Sequence, residues 1–402
     1  MEGTSLKSSL FPPQIYQKSH SKVPYRVAVL LANHAFVMKV ELAVEPLGSW
    51  IQTNGKPLII AGPCSAETEE QLVETARQLK TLGAVHAIRA GVWKPRTRPG
   101  SFEGMGEAAL PWIQRAKAET GLPFAVEVAT PEHIELALKY GVDILWIGAR
   151  TTVNPFNVQE IADALRGVDV PVLIKNPINP DLALWIGAFE RIAGAGITKL
   201  GAIHRGFSTG EASKYRNVPM WQMAIELKSI FPQLPLIGDP SHMAGKRAYL
   251  NELAQMALDL NYDGLIVESH IDPDKAWSDA AQQLTPAAFG EMLDHLQIRQ
   301  VESPNREFQS YMEQSRRNID NVDRQIVEML GARMALVERL AGYKRDNNVT
   351  LFQPDRWKEI LKTRTELGQK LNLYPELVEE IYKVIHMESI RKQTEVMNNQ
   401  AA

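Results

Sequence analysis

A single cysteine, Cys64, stands among the 402 residues of the chain. One cysteine excludes an intramolecular disulfide and fits a reducing compartment, so the expected location is the cytoplasm. Charge of one sign is lacking as well. Forty-four Lys and Arg face 47 Asp and Glu, a formal net charge of −3, and no global basic field argues for nucleic acid. No uninterrupted apolar run reaches the roughly 20 residues a membrane helix needs. A Walker-type phosphate loop and a dinucleotide fingerprint are both missing, so nucleotide and nicotinamide cofactors are not indicated.

The first 37 residues scatter Ser, His, Lys and Pro among apolar residues. Their apolar core is short and late for a signal peptide, and His34 interrupts the cleavage region. Residues 1–37 are therefore set aside as a leader of unclear status, disordered or non-native, with the first folded domain running over 38–296.

From Lys56 the pattern becomes regular. Short apolar runs at Pro57–Gly62, Val85–Ala90, Pro123–Val128, Asp143–Gly148, Pro171–Lys175, Ile197–Ile203, Leu234–Gly238 and Asp263–Glu268 read as strands covered on both faces. Amphipathic stretches such as Glu69–Leu82, Gly106–Thr120, Pro131–Tyr140 and Lys246–Leu260 lie between them, and Gly83, Gly121, Gly141 and Gly264 sit where helix stops belong. Eight strand-helix units make an α/β protein, and eight is the number that closes a (β/α)8 TIM barrel. An open doubly wound sheet competes, but there only the strands at the switch point should end in chemistry. Here nearly every strand does: Cys64, Lys94, Glu127, Arg150, Lys175, Arg205, His242 and Glu268 end or follow the eight strands in turn.

Cys64, His242, Glu268 and Asp279 fall at the ends of the first, seventh and eighth strands, which are neighbours in a closed barrel. A thiolate, an imidazole and two carboxylates suit one divalent ion, Mn first, with Fe, Co or Zn as alternatives. A closed structural zinc site would favour more thiolates. Lys94, Arg96 and Arg98 are held in one loop by two prolines, and Arg150, Lys175 and Arg205 add cations from other strand ends. Such a crowd repels itself unless substrates bring phosphate and carboxylate, to which Arg offers bidentate contacts.

The motifs Gly62-Pro63-Cys64-Ser65, Lys94-Pro95-Arg96-Thr97, Ile147-Gly148-Ala149-Arg150 and Gly238-Asp239-Pro240-Ser241-His242 occur in this order. On them the chain, from about Lys56 to His295, resembles 3-deoxy-D-arabino-heptulosonate 7-phosphate (DAHP) synthase, most closely the compact type I beta group. That family condenses phosphoenolpyruvate with erythrose 4-phosphate in the first committed step of the shikimate pathway. The resemblance implies metal ligation by Cys64, His242, Glu268 and Asp279. It implies phosphoenolpyruvate binding by Lys94, Arg150, Lys175 and Arg205, and contact with erythrose 4-phosphate by Arg96 and Thr97. Lys94 is the implied proton donor near the aldehyde, and Glu127 an acidic partner for water or for Lys94. The sister synthase of the eight-carbon octulosonate phosphate shares the barrel but typically has another motif in place of Lys-Pro-Arg-Thr.

Residues 297–305 read as a polar linker. Beyond it strand signals stop, and three helical stretches follow at about Arg306–Asn347, Pro354–Leu371 and Pro375–Asn398. A domain of three helices buries little alone, so pairing between chains is expected. Arg333 and Lys344 are eleven apart and share a helix face, whereas Arg316, seventeen before Arg333, lies on another. Ser389 and Gln393 are four apart and share a face of the last helix. The spacing Arg316, Arg333, Lys344, Arg356, Ser389, Gln393 resembles the all-helical chorismate mutases over about Arg306 to Gln393, in an all-α domain assigned to 306–402. The resemblance implies an intertwined homodimer in which Arg316 reaches the partner's site. Arg316 and Arg333 would hold the carboxylates of chorismate, and Lys344 and Gln393 would address its ether oxygen, an electrostatic route without a nucleophile. Gln353 and Trp357 depart from the family, standing where some members have acids near the substrate hydroxyl, while Arg356 keeps its place. The alternative for this tail is a non-catalytic module that senses prephenate or chorismate and regulates the barrel.

Overall fold

The computed structural model describes residues 27–32, 35–40, 42–95, 100–210 and 212–398. Two units divide the chain, Met1–Arg299 and Gln300–Ala402, with the division inside the segment read as a linker.

In the first unit, strands β1 (Val27–Ala32) and β2 (Ala35–Val40) pair antiparallel. The described part of the segment set aside as a leader thus lies in two paired strands that run on to Val40; residues 1–26 and 33–34 lie outside the described residues. Eight further strands follow: β3 (Leu58–Gly62), β4 (Ala87–Ala90), β5 (Phe124–Val128), β6 (Ile144–Ile147), β7 (Val172–Lys175), β8 (Leu200–His204), β9 (Leu236–Gly238) and β10 (Gly264–Glu268). They close into a barrel in which β10 pairs parallel with both β9 and β3. The helices are α1 (Glu69–Thr81), α2 (Leu110–Thr120), α3 (Pro131–Lys139), α4 (Ala149–Thr152), α5 (Pro155–Ala164), α6 (Leu182–Gly194), α7 (Trp221–Ile230), α8 (Pro240–Ala244), α9 (Leu250–Asp259) and α10 (Pro286–His295).

Local chemistry explains the helix starts. The side chains of Thr68, Thr130, Asp181 and Thr285 each accept a backbone N–H from the first turn of the helix they precede. Gly83, Gly121 and Gly141 take positive φ at helix ends, as their positions imply. Gly264 does not. It is the first residue of β10, and the stop before it is Asn261 at φ 60°. Gly264 is needed for closeness instead, since a Cβ there would lie 2.3 Å from the Leu58 carbonyl oxygen of the paired strand. Strand β8 also begins three residues later than its sequence pattern implies and runs on to His204.

Side chains alternate strictly along the barrel strands. One parity fills the inside with Leu58, Ile60, Ala87, Ala125, Trp146, Leu173, Ile203, Ile237 and Ile266. The other packs against the helices in a larger core that includes Leu72, Ile113, Phe124, Trp185 and Phe289. Carrying the inward parity one step further toward the strand ends gives Arg89, Glu127, Lys175, Arg205, Asp239 and Glu268. The apolar interior thus ends in a ring of charge at the C-terminal mouth, where barrel chemistry collects.

The second unit is helical: α11 (Arg306–Asp346), α12 (Pro354–Lys370) and α13 (Pro375–Asn398). The 41 residues of α11 span about 60 Å at 1.5 Å each. Ile319, Val322, Ile326, Met329, Leu336 and Leu340 along it are all at least half exposed. Within the unit α13 packs against both α11 and α12.

Candidate active sites

At the barrel mouth, the ligand atoms of Cys64, Glu268 and Asp279 lie within 4.8 Å of one another. The His242 Nε2 atom lies 3.7 Å from Glu268 Oε1. Each of the four groups is held from behind. Asp239 caps α8 by accepting the His242 backbone N–H, and it also takes the imidazole Nδ1 at 3.0 Å, which leaves Nε2 as the free lone pair. Gln282 donates Nε2–H to Glu268 Oε2 at 2.7 Å, turning Oε1 toward the cluster. Arg216 donates to both Asp279 Oδ1 (3.0 Å) and Gln282 Oε1 (2.9 Å). The other Asp279 oxygen faces the Cys64 thiol at 3.5 Å.

The loop that carries Asp279 is tied to the loop after β3. Trp277 N–H donates to Glu67 Oε1 at 2.8 Å, Cys64 N–H donates to Gln283 Oε1 at 2.9 Å, and the Ser65 and Ser278 hydroxyls bond each other. Asp279 itself sits at φ 46°, a strained conformation for a residue with a side chain. These ties hold it there.

Electrostatics support the donor set. Burial first, then the carboxylates of Glu268 and Asp279, push the Cys64 thiol up to about 12, against the pull of Lys94. Burial would also raise Glu268, but His242 and Arg89 hold it below the usual carboxylate range. Asp279 is likewise lowered, with His242 and Arg216 outweighing its burial. Two ionised carboxylates beside a thiol that cannot ionise unaided are what a divalent cation would resolve, by drawing off the thiol proton. The residues present therefore fit such an ion.

Cations surround this cluster. Lys94 Nζ donates to the Cys64 carbonyl oxygen at 2.8 Å and lies 2.9 Å from its sulfur. Buried Lys175 pairs with Asp239 at 3.0 Å. Arg205 donates to Asn217 Oδ1 at 2.8 Å, and burial pushes its guanidinium down to about 10, with Arg216 and Arg150 adding to the effect. Arg150 is exposed at the start of α4. Glu127 is inward but accepts the Trp146 indole N–H at 3.0 Å. With Lys94 it lines a cavity of about 230 Å³ together with Trp93, Glu103 and His133. A Cβ at Gly148 would meet the Glu127 carboxylate at 2.0 Å, so only glycine leaves that acid its place. Arg96 and Thr97 lie outside the described residues.

Sequence reading missed Arg89. It is 2 % exposed, lies 3.1 Å from Glu268 Oε1 and 5.2 Å above the Trp146 ring, and its Nε and Nη1 atoms have no hydrogen-bond partner. A buried guanidinium with free donors among these cations is able to take an anionic oxygen. Its signal was parity: Arg89 shares the inward register of Ala87.

The helical unit assembles a second cluster. Arg333 Nη1 donates to Ser389 Oγ at 2.6 Å, and that hydroxyl donates to the Ile385 carbonyl oxygen at 2.6 Å. Gln393 donates to the Ser389 carbonyl oxygen at 3.1 Å. Lys344 is buried and donates to the Leu351 carbonyl oxygen at 2.7 Å. Burial lowers both Lys344 and Arg333. Arg316 is exposed and has no part in this cluster. Arg356 is also exposed and pairs with Glu359 one turn on, at 2.7 Å. Trp357 stacks on His386, ring centroids 4.2 Å apart and 14° from parallel. Burial and the Arg333 charge lower the His386 imidazole.

Comparison with known proteins finds a family for each unit. The family model of the DAHP synthetase I family matches residues 39–302, and that of chorismate mutase type II matches 315–394. The phospho-2-dehydro-3-deoxyheptonate aldolase of Thermotoga maritima is 35% identical over 256 residues, 64% of this chain and 73% of that protein. The 2-dehydro-3-deoxyphosphooctonate aldolase of Rhodopseudomonas palustris is 28% identical over 267 residues, 60% of this chain and 88% of that protein. The crystal structure of the Thermotoga maritima DAHP synthase superposes with a TM-score of 0.54 at 34% identity, over 60% of this chain and 68% of that one. A truncated form of the synthase from the same organism gives 0.52 at 29%, over 66% and 89%.

Proposed function

We propose, for a chain that belongs to the DAHP synthetase I family and carries a chorismate mutase type II domain, that it is a bifunctional enzyme of the shikimate pathway. The barrel condenses phosphoenolpyruvate with erythrose 4-phosphate to DAHP and phosphate. The helical domain converts chorismate to prephenate. The observation that carries the first activity is the cluster of Cys64, Glu268 and Asp279 with His242 beside it, at a mouth that also holds the buried cations Arg89, Lys175 and Arg205.

Cys64, His242, Glu268 and Asp279 would hold one divalent ion, with manganese the first choice for this mixed donor set. When bound, it supplies Lewis acidity toward the aldehyde. The chain's own residues do the rest. Lys175, Arg205, Arg150 and Arg89 bind the carboxylate and phosphate of phosphoenolpyruvate and fix its reactive carbon 3. Arg96 and Thr97 hold erythrose 4-phosphate. Lys94, beside the thiol at 2.9 Å, donates a proton to the aldehyde oxygen as carbon 3 attacks it. Water adds at carbon 2, assisted by Glu127, and phosphate leaves. In the helical domain Arg333 and the partner copy's Arg316 hold the two carboxylates, Ser389 and Arg356 support them, and Lys344 and Gln393 meet the ether oxygen as charge develops there.

The exposed apolar row on α11, and the separation of Arg316 from the Arg333 cluster, support a homodimer built through this domain. Among the described residues no helix is long and apolar enough to cross a membrane, and the single cysteine supports a cytoplasmic location.

The test is product identification. With phosphoenolpyruvate and erythrose 4-phosphate the protein should release DAHP and phosphate in equal amounts. Turnover of arabinose 5-phosphate in place of erythrose 4-phosphate would instead point to the octulosonate synthase. Chorismate alone should give prephenate; binding without turnover would leave the tail a sensor.

A further inference from the structure

Two buried side-chain polar atoms in the helical unit have no hydrogen-bond partner among the described residues: His386 Nε2 and Gln393 Oε1. They are seven residues apart on α13, hence on one face. Ser389 lies between them and is the group bonded to Arg333 at 2.6 Å. Unsatisfied buried polar atoms are rare in folded proteins. Two in line beside one guanidinium mark a place where a ligand completes the bonding.

The proposed substrate offers two carboxylates, an ether oxygen and one ring hydroxyl. Arginines account for the carboxylates, and Lys344 with Gln393 for the ether oxygen. The hydroxyl has no side chain assigned: Gln353, which is exposed, and Trp357 stand at the positions where the resemblance puts acids near it. That tryptophan is stacked flat on His386 at 4.2 Å, and Phe352 packs on the same imidazole with centroids 5.9 Å apart. Two aromatic rings thus fix the imidazole, and its Nε2 atom is buried and unpaired among the described residues.

We infer that His386 binds the ring hydroxyl of the mutase substrate through Nε2, and that Trp357 positions the imidazole for this role. The polar contact has moved from α12 to α13, and Trp357, in losing the acid, supplies the platform. The inference rests on the mutase reading of the helical domain.

The test uses the full-length protein with two substrates, chorismate and 4-deoxychorismate, which lacks only the hydroxyl. The quantity read is the ratio of their kcat/KM values. In the unsubstituted protein the ratio should be about ten, the worth of one well-placed hydrogen bond. His386→Phe keeps a ring on Trp357 but has no polar edge, and the ratio should fall to about two or below. His386→Leu should do the same. His386→Gln, whose amide nitrogen reaches close to the Nε2 position, should restore part of it. A loss of packing alone would lower both substrates together and leave the ratio untouched, and that result in His386→Phe or His386→Leu overturns the inference. If the unsubstituted protein turns over neither compound, the mutase reading itself fails and this inference falls with it.

Discussion

The two units solve the problem of building a site in opposite ways. In the barrel every proposed metal ligand has a fixed partner behind it in the same chain: Asp239 behind His242, Gln282 behind Glu268, Arg216 behind Asp279 and Gln283 behind the Cys64 backbone. In the helical unit the cluster around Arg333 is, on the proposed reading, only part of a site. Arg316 lies elsewhere on α11, and large apolar side chains such as Ile326 and Leu336 face outward, 52% and 58% exposed. A closed barrel carries its own core and mouth. The three helices leave an apolar row uncovered, the surface that a second copy would bury in the proposed dimer.

Cys64→Ser should break the barrel half alone. Loss of the soft ligand should cost synthase turnover about a thousand-fold, a few kcal/mol of lost charge stabilisation, while mutase turnover stays level; parallel assays on one preparation read both. Ile326→Asp should break the helical half alone. Placing a charge in the apolar row should raise the dimer dissociation constant on the order of 30-fold, seen by analytical ultracentrifugation, with mutase activity falling and synthase activity retained. A monomeric variant with full mutase activity would dissolve the contrast.

A subtler change sharpens it. Gln282→Leu leaves all four proposed ligands in place but frees Glu268 Oε2, and metal affinity should weaken about 10- to 100-fold by titration.

A last change concerns the barrel's stability. His204 is buried among Trp185, Phe207, Trp221 and Tyr262, with Nδ1 2.8 Å from the Tyr262 hydroxyl. Burial lowers its imidazole from 6.5 to about 4. Between those values the unfolded chain binds a proton that the folded chain refuses. Stability therefore falls as pH falls through this window, by on the order of 3 kcal/mol once it is crossed. Thermal melts at pH 7 and 4.5 should show the barrel transition dropping less in His204→Asn, which keeps a partner for Tyr262 and does not titrate.

Much of the barrel was legible because strand-end chemistry is local. Cys64, Lys175 and Glu268 announce themselves by following apolar runs of one strand's length. Arg89 was hidden inside such a run, since a reading by apolar content passes over a lone charge that strict alternation would have placed in the mouth. Arg216 and Gln282 act through contacts that loops make across 14 to 66 residues, which no local pattern encodes, whereas Asp239 caps the helix that carries His242 three residues on. Gly264 was misread because glycine marks both helix ends and tight strand approach, and only the neighbouring strand tells them apart. On the tail, spacing along one helix showed that Arg316 and Arg333 face differently. The stacking of Trp357 on His386 joins two helices and left no trace in either.

The central claim is that one chain carries two independent chemistries, one needing a divalent ion and one not. The direct measurement is both reaction rates on one preparation before and after treatment with a chelator. The account predicts that DAHP formation stops and returns on adding manganese, while prephenate formation is unchanged throughout. DAHP formation persisting in metal-free buffer, or prephenate formation falling in step with it, would contradict it.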